Sequence, residues 1–195
     1  SNLAGSELIA YYLPTDSIQG AVQKFPLGPN FPRGGRLISA GTWTLDGGNG
    51  PDDYCFFVTD QGEIAVYEGI DPSSADSFAI VGVFYIGKIG TVPHCWVRSG
   101  ADVLIASKTG LYSLSKIVSG TPAIAANSLS RLIQSTWALS HLTGVGNPRI
   151  FLWPRFGMLL CSKESRTVPA TNVSPLVMNL QNGAWCSFST FEATC

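Results

Sequence analysis

Short stretches of alternating apolar and polar residues, each followed by a polar turn, recur along the chain. The run from Tyr54 to Val58 consists mostly of aromatic and β-branched residues, which favour a pleated, half-buried strand. A polar turn that ends in Gly62 follows, and glycine can adopt the positive φ that tight turns require. Ile64 and Val66 then share one face of a second strand, because successive side chains of a strand alternate. The pattern predicts a β-hairpin, with a third strand over 78–86.

The same succession of strand and turn recurs twice after this hairpin, at 94–114 and at 150–188. About four short strands per unit and a period of roughly 45 residues are typical of propeller blades. We therefore predict an all-β fold of antiparallel β-propeller-like blades, a partial or small propeller, with one inserted helix. A β-sandwich built from the same hairpins is the alternative. The other predicted strands are 7–13, 36–45, 94–98, 102–106, 111–114, 150–153, 158–161, 175–179 and 184–188.

One segment, 124–139, has the period of a helix rather than a strand. Its apolar residues fall at i, i+3, i+4 and i+8, which is one face of a helix. Asn127 or Ser128 would cap its start, and packing against the blades is its expected role, with a partner subunit as the alternative. A shorter helix is expected near 17–24, and an exposed loop at 162–173. The four apolar positions of the longer helix are Leu129, Leu132, Ile133 and Trp137.

Length and charge limit the classes of function. The chain has 195 residues, enough for a single β-propeller-like domain over 1–195, with lobes 1–120 and 121–195 as the alternative. Charged residues make up 13% of it, against about 25% in ordinary domains, which favours a surface buried against partners; a compact all-β domain with Ser, Thr and Asn on its surface is the alternative. The formal net charge of −1 argues against a dedicated nucleic-acid binder. No apolar run approaches the ~18 residues of a membrane span, and we expect no signal peptide.

The cysteines are odd in number and form no C-x-x-C pair. Four of them lie in apolar, strand-like runs, so we predict buried free thiols that pack as small hydrophobic groups. They are Cys55, Cys95, Cys161 and Cys186, with Cys195 at the end of the chain.

A cluster of acidic and amide residues lies in a Gly-rich turn predicted at 46–53. Calcium prefers several oxygen ligands of this kind. The spacing does not match an EF-hand, and Asp, Asn and Gly are the usual turn residues. We predict no metal, cofactor or catalytic site, and a weak calcium site at this cluster is the alternative. Its members are Asp46, Asn49, Asp52 and Asp53.

The remaining chemistry-bearing residues form no catalytic grouping, so we predict that the protein is not an enzyme. Two pairs of carboxylates flank turns expected to face solvent, where the cleft of a glycoside hydrolase would not form. His94 and His141 match neither a metal site nor the serine hydrolase motif. Five tryptophans are expected to pack in the core, with a sugar-binding surface as the alternative. The carboxylate pairs are Asp60 with Glu63 and Glu68 with Asp71.

Three stretches carry a family resemblance: 41–53, 57–74 together with 81–87, and 177–188. They resemble a family of large virion structural proteins of tailed phages and prophages, which is similar to the β-propeller proteins of the tail hub or nozzle. The motifs are structural, so the resemblance implies no active site. Members of that family are several times longer, so it also implies a segment of a longer protein, arranged six-fold at the tail axis.

The expected function is a non-enzymatic structural component of a tailed-phage virion, a hub- or nozzle-like assembly protein. It would be assembled in the host cytoplasm and reside in the virion. The expected partners are further copies of the chain and other tail or portal-adaptor proteins, with DNA only as passing cargo and no membrane. Unpaired strands near the chain ends would then expose apolar surface and cause self-association. The alternative is a carbohydrate-binding β-propeller or lectin-like module, which should open at least two Trp or Tyr rings to solvent in one pocket.

Overall fold

The chain folds as two compact units, Ser1–Tyr85 and Ile86–Cys195, built mainly from antiparallel strands. This confirms the all-β prediction. The boundary follows Tyr85, whereas the lobes suggested by the sequence meet at residue 120; a single propeller-like domain over 1–195 stays a prediction. The structure, a computed structural model, describes residues 8–14, 16–46, 51–74, 77–91, 93–120, 128–141, 147–163 and 175–188.

The first unit contains a hairpin and a four-stranded sheet. Strands β1 (Ile9–Tyr12) and β2 (Gln23–Pro26) pair with each other. The sheet runs in sequence order as an antiparallel meander, and the predicted hairpin forms its β4–β5 pair, closed by Gly62 at φ 88°. Its strands are β3 (Leu37–Asp46), β4 (Pro51–Thr59), β5 (Glu63–Gly69) and β6 (Phe78–Tyr85).

The β1–β2 hairpin packs on one face of this sheet through aromatic rings. Tyr67 and Phe78, from adjacent strands, stack at 4.9 Å between ring centroids. Phe25 of β2 meets the edge of Tyr67 at 5.3 Å and of Phe78 at 5.5 Å. Offset and edge-on ring pairs of this kind add to the stability gained by apolar burial. Phe25 of β2 therefore anchors the hairpin on the sheet through its contacts with Tyr67 and Phe78.

The prediction of a short helix near 17–24 is wrong. The end of that segment belongs to β2, where Lys24 pairs with Tyr11 and Gln23 with Tyr12. At the start of the segment the hydroxyl of Ser17 donates to the carbonyl of Gln19 at 2.6 Å, a local bond that replaces a helical turn. Local side-chain bonds of this type compete with the helical ladder.

In its described residues, the second unit contains a three-stranded and a four-stranded antiparallel sheet, each in sequence order, and two α-helices. The first helix, α1 (Leu114–Val118), begins within the predicted strand 111–114. Ser113 is its N-cap and accepts a hydrogen bond from the backbone N–H of Lys116. The other elements are β7 (Trp96–Ser99), β8 (Asp102–Ser107), β9 (Gly110–Ser113), α2 (Gln134–His141), β10 (Pro148–Trp153), β11 (Met158–Lys163), β12 (Leu176–Asn179) and β13 (Trp185–Ser187).

Trp137 lies at the centre of the core of the second unit. Its side chain is fully buried, and its indole N–H donates to the carbonyl of Ser107 at 3.1 Å. The edge of its ring meets Trp185 at 6.0 Å, and Trp185 donates to the carbonyl of Leu129. The two tryptophans thus connect α2 with strands of both sheets.

The predicted helix 124–139 is shorter than expected, and two of its apolar side chains, Leu132 and Leu139, are exposed. Helix α2 starts at Gln134, after a 3₁₀ turn over Arg131–Ile133. A 3₁₀ turn advances about 120° per residue instead of 100°, which changes the face each residue occupies. Leu132 is consequently 85% exposed, while Trp137 is buried. Ser128 does not cap the helix and donates instead to the carbonyl of Leu111.

Several predictions fall outside the described residues. They concern the cap at Asn127, most of the loop 162–173, and Cys195. Within the described part of the chain, no helix has the length and apolar character needed to span a membrane.

Candidate functional site

An open groove of about 570 Å³ lies in the first unit, between the β1–β2 hairpin and one face of the four-stranded sheet. Pockets that hold small ligands have volumes of about 300–1,000 Å³. The hairpin contributes Ala10–Leu13 and Phe25 to the walls, and the loop after β5 contributes Ile70 and Pro72. The groove is the candidate binding site of the molecule because it combines this volume with aromatic walls.

Strand register places a polar rim on the sheet side of the groove. Thr44 lies opposite Asp53, and Thr42 lies opposite Cys55, so these four residues share one face of β3 and β4. The Thr44 hydroxyl donates to the Asp53 carboxylate at 2.7 Å. Thr42, Thr44 and Asp53 therefore present two hydroxyls and a carboxylate beside one another.

The floor of the groove is apolar. Phe57 and Phe78 are each only 7% exposed and belong to the core beneath the hairpin. Cys55 lies among them, and burial raises the pKa of its thiol to about 11. Because the thiolate is the nucleophilic form, this cysteine is not poised for covalent chemistry near neutral pH.

Three tyrosines are among the residues that line the groove. Tyr11 is 59% exposed, and the hydroxyl of its half-buried neighbour Tyr12 donates to Gln23 at 2.7 Å. Tyr54 stacks on the buried ring of Trp43, with centroids 4.9 Å apart and 20° between the planes. The ring of Tyr54 therefore lies on the face of β4 opposite Asp53, and strand alternation puts Tyr11 on the face of β1 opposite Ala10, which packs on the core.

The predicted calcium cluster is distributed over two paired strands. Asp46 ends β3, and Asp52 and Asp53 belong to β4, where Asp53 accepts from Thr44. Asn49 lies outside the described residues, so the prediction for the whole cluster stays open. Among the described residues, no group of three or more His, Cys, Asp or Glu could hold a metal ion.

Three carboxylates of the predicted pairs accept hydrogen bonds from backbone N–H groups. Asp60 accepts from the backbone N–H of Arg36 at 2.9 Å, and Asp71 accepts from the backbone N–H of Ser73 at 2.9 Å. The expectation that Glu63 faces solvent is wrong, because its side chain is 3% exposed. Its carboxylate accepts the backbone N–H of Arg33, a contact between residues distant in sequence that no local pattern indicates.

The other candidate residues separate into core and surface. Trp43 and Trp137 are fully buried, as predicted, whereas Trp153 is 38% exposed and meets Phe156 at 4.6 Å. His94 lies beside Phe151, 6.5 Å between ring centroids, and His141 ends α2. All four described cysteines are free: Cys95 and Cys161 are buried and Cys55 is partly buried, but Cys186 is exposed, contrary to expectation.

The groove was not predicted, since β2 has almost no apolar alternation: Phe25 is its one half-buried residue and the rest are exposed. The available signal was Tyr11-Tyr12, two adjacent aromatic residues in a predicted strand. Comparison with known proteins adds no assignment, because neither a protein-family model nor a curated protein matches the chain.

Proposed function

We propose that the protein is a non-enzymatic structural component of a tailed-phage virion, with a hub- or nozzle-like role in tail assembly. The observation that carries the proposal is the presence of two four-stranded meanders, β3–β6 and β10–β13, each in sequence order. This is the strand arrangement of a propeller blade. The described residues of the stretches that carry the family resemblance belong mainly to the strands of these two sheets.

An apolar edge strand supports a role in assembly. Strand β6 ends the order of its sheet, and none of its eight residues is charged. Natural proteins usually protect edge strands with charges, proline or a covering element. Here four large apolar side chains are exposed: Ile80, Val81, Val83 and Tyr85.

Such a strand can add a partner strand through its main chain while its side chains are buried by the same contact. The low charge of the whole chain, 13%, is compatible with a surface that is largely covered in an assembly. In this proposal the partners are further copies of the chain and other tail or portal-adaptor proteins. DNA passes only as cargo, no membrane is involved, and the assembled protein resides in the virion.

Light scattering of the full chain at micromolar concentration tests the assembly step. We expect an oligomer that is weakened by the double substitution Val81→Lys and Val83→Lys, because two charges would enter the contact. Ile18→Lys is the matched control, since Ile18 is 96% exposed and lies outside the strands. A strictly monomeric chain would contradict the proposal.

The virion assignment requires a separate measurement. Mass spectrometry of density-purified phage particles induced from the source strain should detect peptides of this chain at a constant ratio to the capsid protein. Their absence from purified particles would reject the virion assignment, whatever the oligomeric state.

A further inference from the structure

We propose that the second unit binds single-stranded nucleic acid along one face of β10, where exposed aromatic rings and cationic side chains follow one another. This inference goes beyond the structural role proposed above, in which DNA is only cargo, and does not depend on it. It rests on the distribution of charge along the chain and on the exposure of the rings. The residues of this surface, the β10 stripe, are Arg149, Phe151, Trp153, Arg155 and Phe156.

The net charge of −1 conceals a separation of charge between the two units. Nine of the 12 basic residues but only three of the 13 acidic residues lie in Ile86–Cys195, which gives this unit a formal charge of +6. Ser1–Tyr85 carries the other three basic and ten acidic residues, and therefore a charge of −7. A basic unit attracts polyanions, so the second unit has the charge expected of a nucleic-acid binder although the whole chain does not.

The β10 stripe lies in a basic part of the second unit. Residues 148–163, which form β10, β11 and the turn between them, contain three basic residues and no acidic one. Asp102 is the one acidic residue in the described part of the second unit, and it accepts hydrogen bonds from the backbone N–H groups of Val103 and Ser115. This carboxylate is thus occupied at the start of β8. A phosphate at the stripe would meet cations and no carboxylate of β10 or β11.

Strand alternation places two rings on the side of β10 that faces away from the core. Ile150 is 2% exposed and belongs to the core of the second unit. Phe151 and Trp153 are 43% and 38% exposed, so they lie on the opposite face of the strand. A strand rises about 3.3 Å per residue, which separates the two rings by about 7 Å along β10. Neighbouring bases of an extended strand can therefore each reach one ring.

The turn after β10 continues the stripe. Phe156 is 51% exposed, and its ring meets that of Trp153 edge-on at 4.6 Å. The Cζ of the exposed Arg155 lies 5.7 Å from the centre of the Phe156 ring, within the range of a cation–π contact. Arg155 can pair with a phosphate while the rings beside it stack on bases, which is how proteins bind unpaired strands.

His94 brings a further ring to the stripe from the segment before β7. The backbone N–H of Ile150 donates to the carbonyl of His94 at 3.0 Å. The ring of His94 is exposed and lies 6.5 Å from that of Phe151. Imidazole rings also stack on unpaired bases. This histidine matches no metal or hydrolase motif, and its position beside Phe151 gives it a role in binding.

The rings decide between nucleic acid and other polyanions. A sulfated glycan would pair with the cations and leave the rings of Phe151, Trp153 and Phe156 exposed. In a duplex the bases stack on one another, so their faces are closed to these rings, whereas an unpaired strand presents them. The combination of cations and exposed rings therefore favours a single strand.

The test is fluorescence anisotropy of a labelled single-stranded DNA of about 15 nucleotides, titrated with the full chain at several salt concentrations. The matching duplex and heparin, a polyanion without bases, are the comparison ligands. We expect the single strand to bind more tightly than the duplex, with an affinity that falls as salt rises because counterions are released. Arg155→Gln should weaken the binding of all three ligands.

Trp153→Ala separates stacking from charge. It should weaken the binding of the single strand by about tenfold, the order of one base–ring stack, and leave the binding of heparin unchanged. Trp153→Phe should retain most of the affinity, because a ring remains. Circular dichroism and urea midpoints check that each variant is folded.

Leu132→Ala and Lys116→Gln are the matched controls. Leu132 is an exposed apolar residue and Lys116 an exposed lysine of the second unit, and both lie outside the β10 stripe. Each should change the affinity for the single strand far less than Trp153→Ala does.

Four outcomes would overturn the inference: no binding of the single strand at low salt, tighter binding of the duplex, full affinity in Trp153→Ala, or an equal loss of heparin binding in that variant. A chain that forms the expected oligomer but binds no oligonucleotide would reject this inference and leave the assembly role intact.

Discussion

The backbone N–H of Arg33 donates to the carboxylate of Glu63 at 3.0 Å, although the two residues are 30 positions apart. The guanidinium Nε of Arg33 lies 4.0 Å from the same carboxylate, and its Cζ lies 3.8 Å from the ring centre of Tyr85. A single arginine thus connects the loop before β3 with β5 and β6. Glu63 is almost fully buried, so the backbone bond supplies a partner that its charge requires.

Removing the Glu63 carboxylate should destabilise the first unit. Glu63→Ala is expected to lower the free energy of unfolding by about 2 kcal/mol, since bonds to charged groups contribute more than neutral ones. Glu63→Gln should cost less, because its amide oxygen can still accept the N–H of Arg33. Urea denaturation followed by circular dichroism measures both.

Two variants separate the backbone bond from the ion pair. Arg33→Ala keeps the N–H donor and removes a guanidinium whose side chain is 55% exposed, so its effect should be below about 1 kcal/mol. Glu68→Ala, at an exposed position of the same strand, should have no measurable effect. If Arg33→Ala lowered the free energy of unfolding more than Glu63→Ala does, the ion pair and not the backbone bond would be the main contribution.

Trp137 and Leu132 test the packing of α2. Trp137→Ala should cost about 3–5 kcal/mol, because it removes a fully buried ring and leaves a cavity. Leu132→Lys should change stability by less than about 0.5 kcal/mol, since Leu132 is 85% exposed. Thermal or chemical unfolding distinguishes the two, and a large loss in Leu132→Lys would place that side chain in the core after all.

These residues also show how far the sequence predicts the fold. Period-2 alternation located β4 and β5, because successive side chains of a strand point to opposite faces and a tight turn joins the two strands. The same reasoning placed Leu132 and Trp137 on one helical face, which requires a continuous α-helix. The 3₁₀ turn before α2 breaks that continuity, and no local residue pattern signals where it ends.

The groove was beyond sequence analysis for a different reason. Thr44 and Asp53 become neighbours only through the β3–β4 register. Ala10 and Phe25 reach the same groove because the β1–β2 hairpin packs across that face of the sheet. Register within one hairpin can be inferred from its turn, but the docking of a second hairpin depends on ring contacts such as Phe25 with Tyr67.

The free thiols should react in the order of their exposure and protonation. Burial raises the pKa of Cys95 to about 12 and raises that of Cys161 still more. Cys186 is exposed, so iodoacetamide at pH 8 should label it well before these two. Peptide mass spectrometry over time reads each cysteine separately. Equal labelling rates in native protein and in urea would show that the thiols are not protected.

Burial of the Cys55 thiol predicts that the folded chain loses stability at alkaline pH. In the folded chain the pKa of Cys55 is about 11, above its ordinary value of 9.0, so the folded state binds the proton more tightly. The stabilisation is complete below pH 9 and is lost as pH rises toward 11. Urea midpoints across this range should fall less steeply in Cys55→Ala than in the original chain. Identical slopes would show that this thiol does not contribute.

Gly87 should tolerate no side chain, for two reasons that a matched glycine separates. Its φ of 86° lies in the left-handed region, and a Cβ there would approach the Thr109 side chain to 2.6 Å. The Thr109 hydroxyl donates to the carbonyl of Ile86, so it cannot move without losing that bond. Gly100 has a φ of 62° but open space around its Cβ position, so Gly100→Ala should cost about 1–2 kcal/mol from backbone strain alone.

Gly87→Ala should lower the free energy of unfolding distinctly more than Gly100→Ala. Combining Gly87→Ala with Thr109→Ala should recover the part of this difference that is due to the steric contact. If the two glycine variants unfold at the same urea concentration, the contact with Thr109 does not restrict this turn.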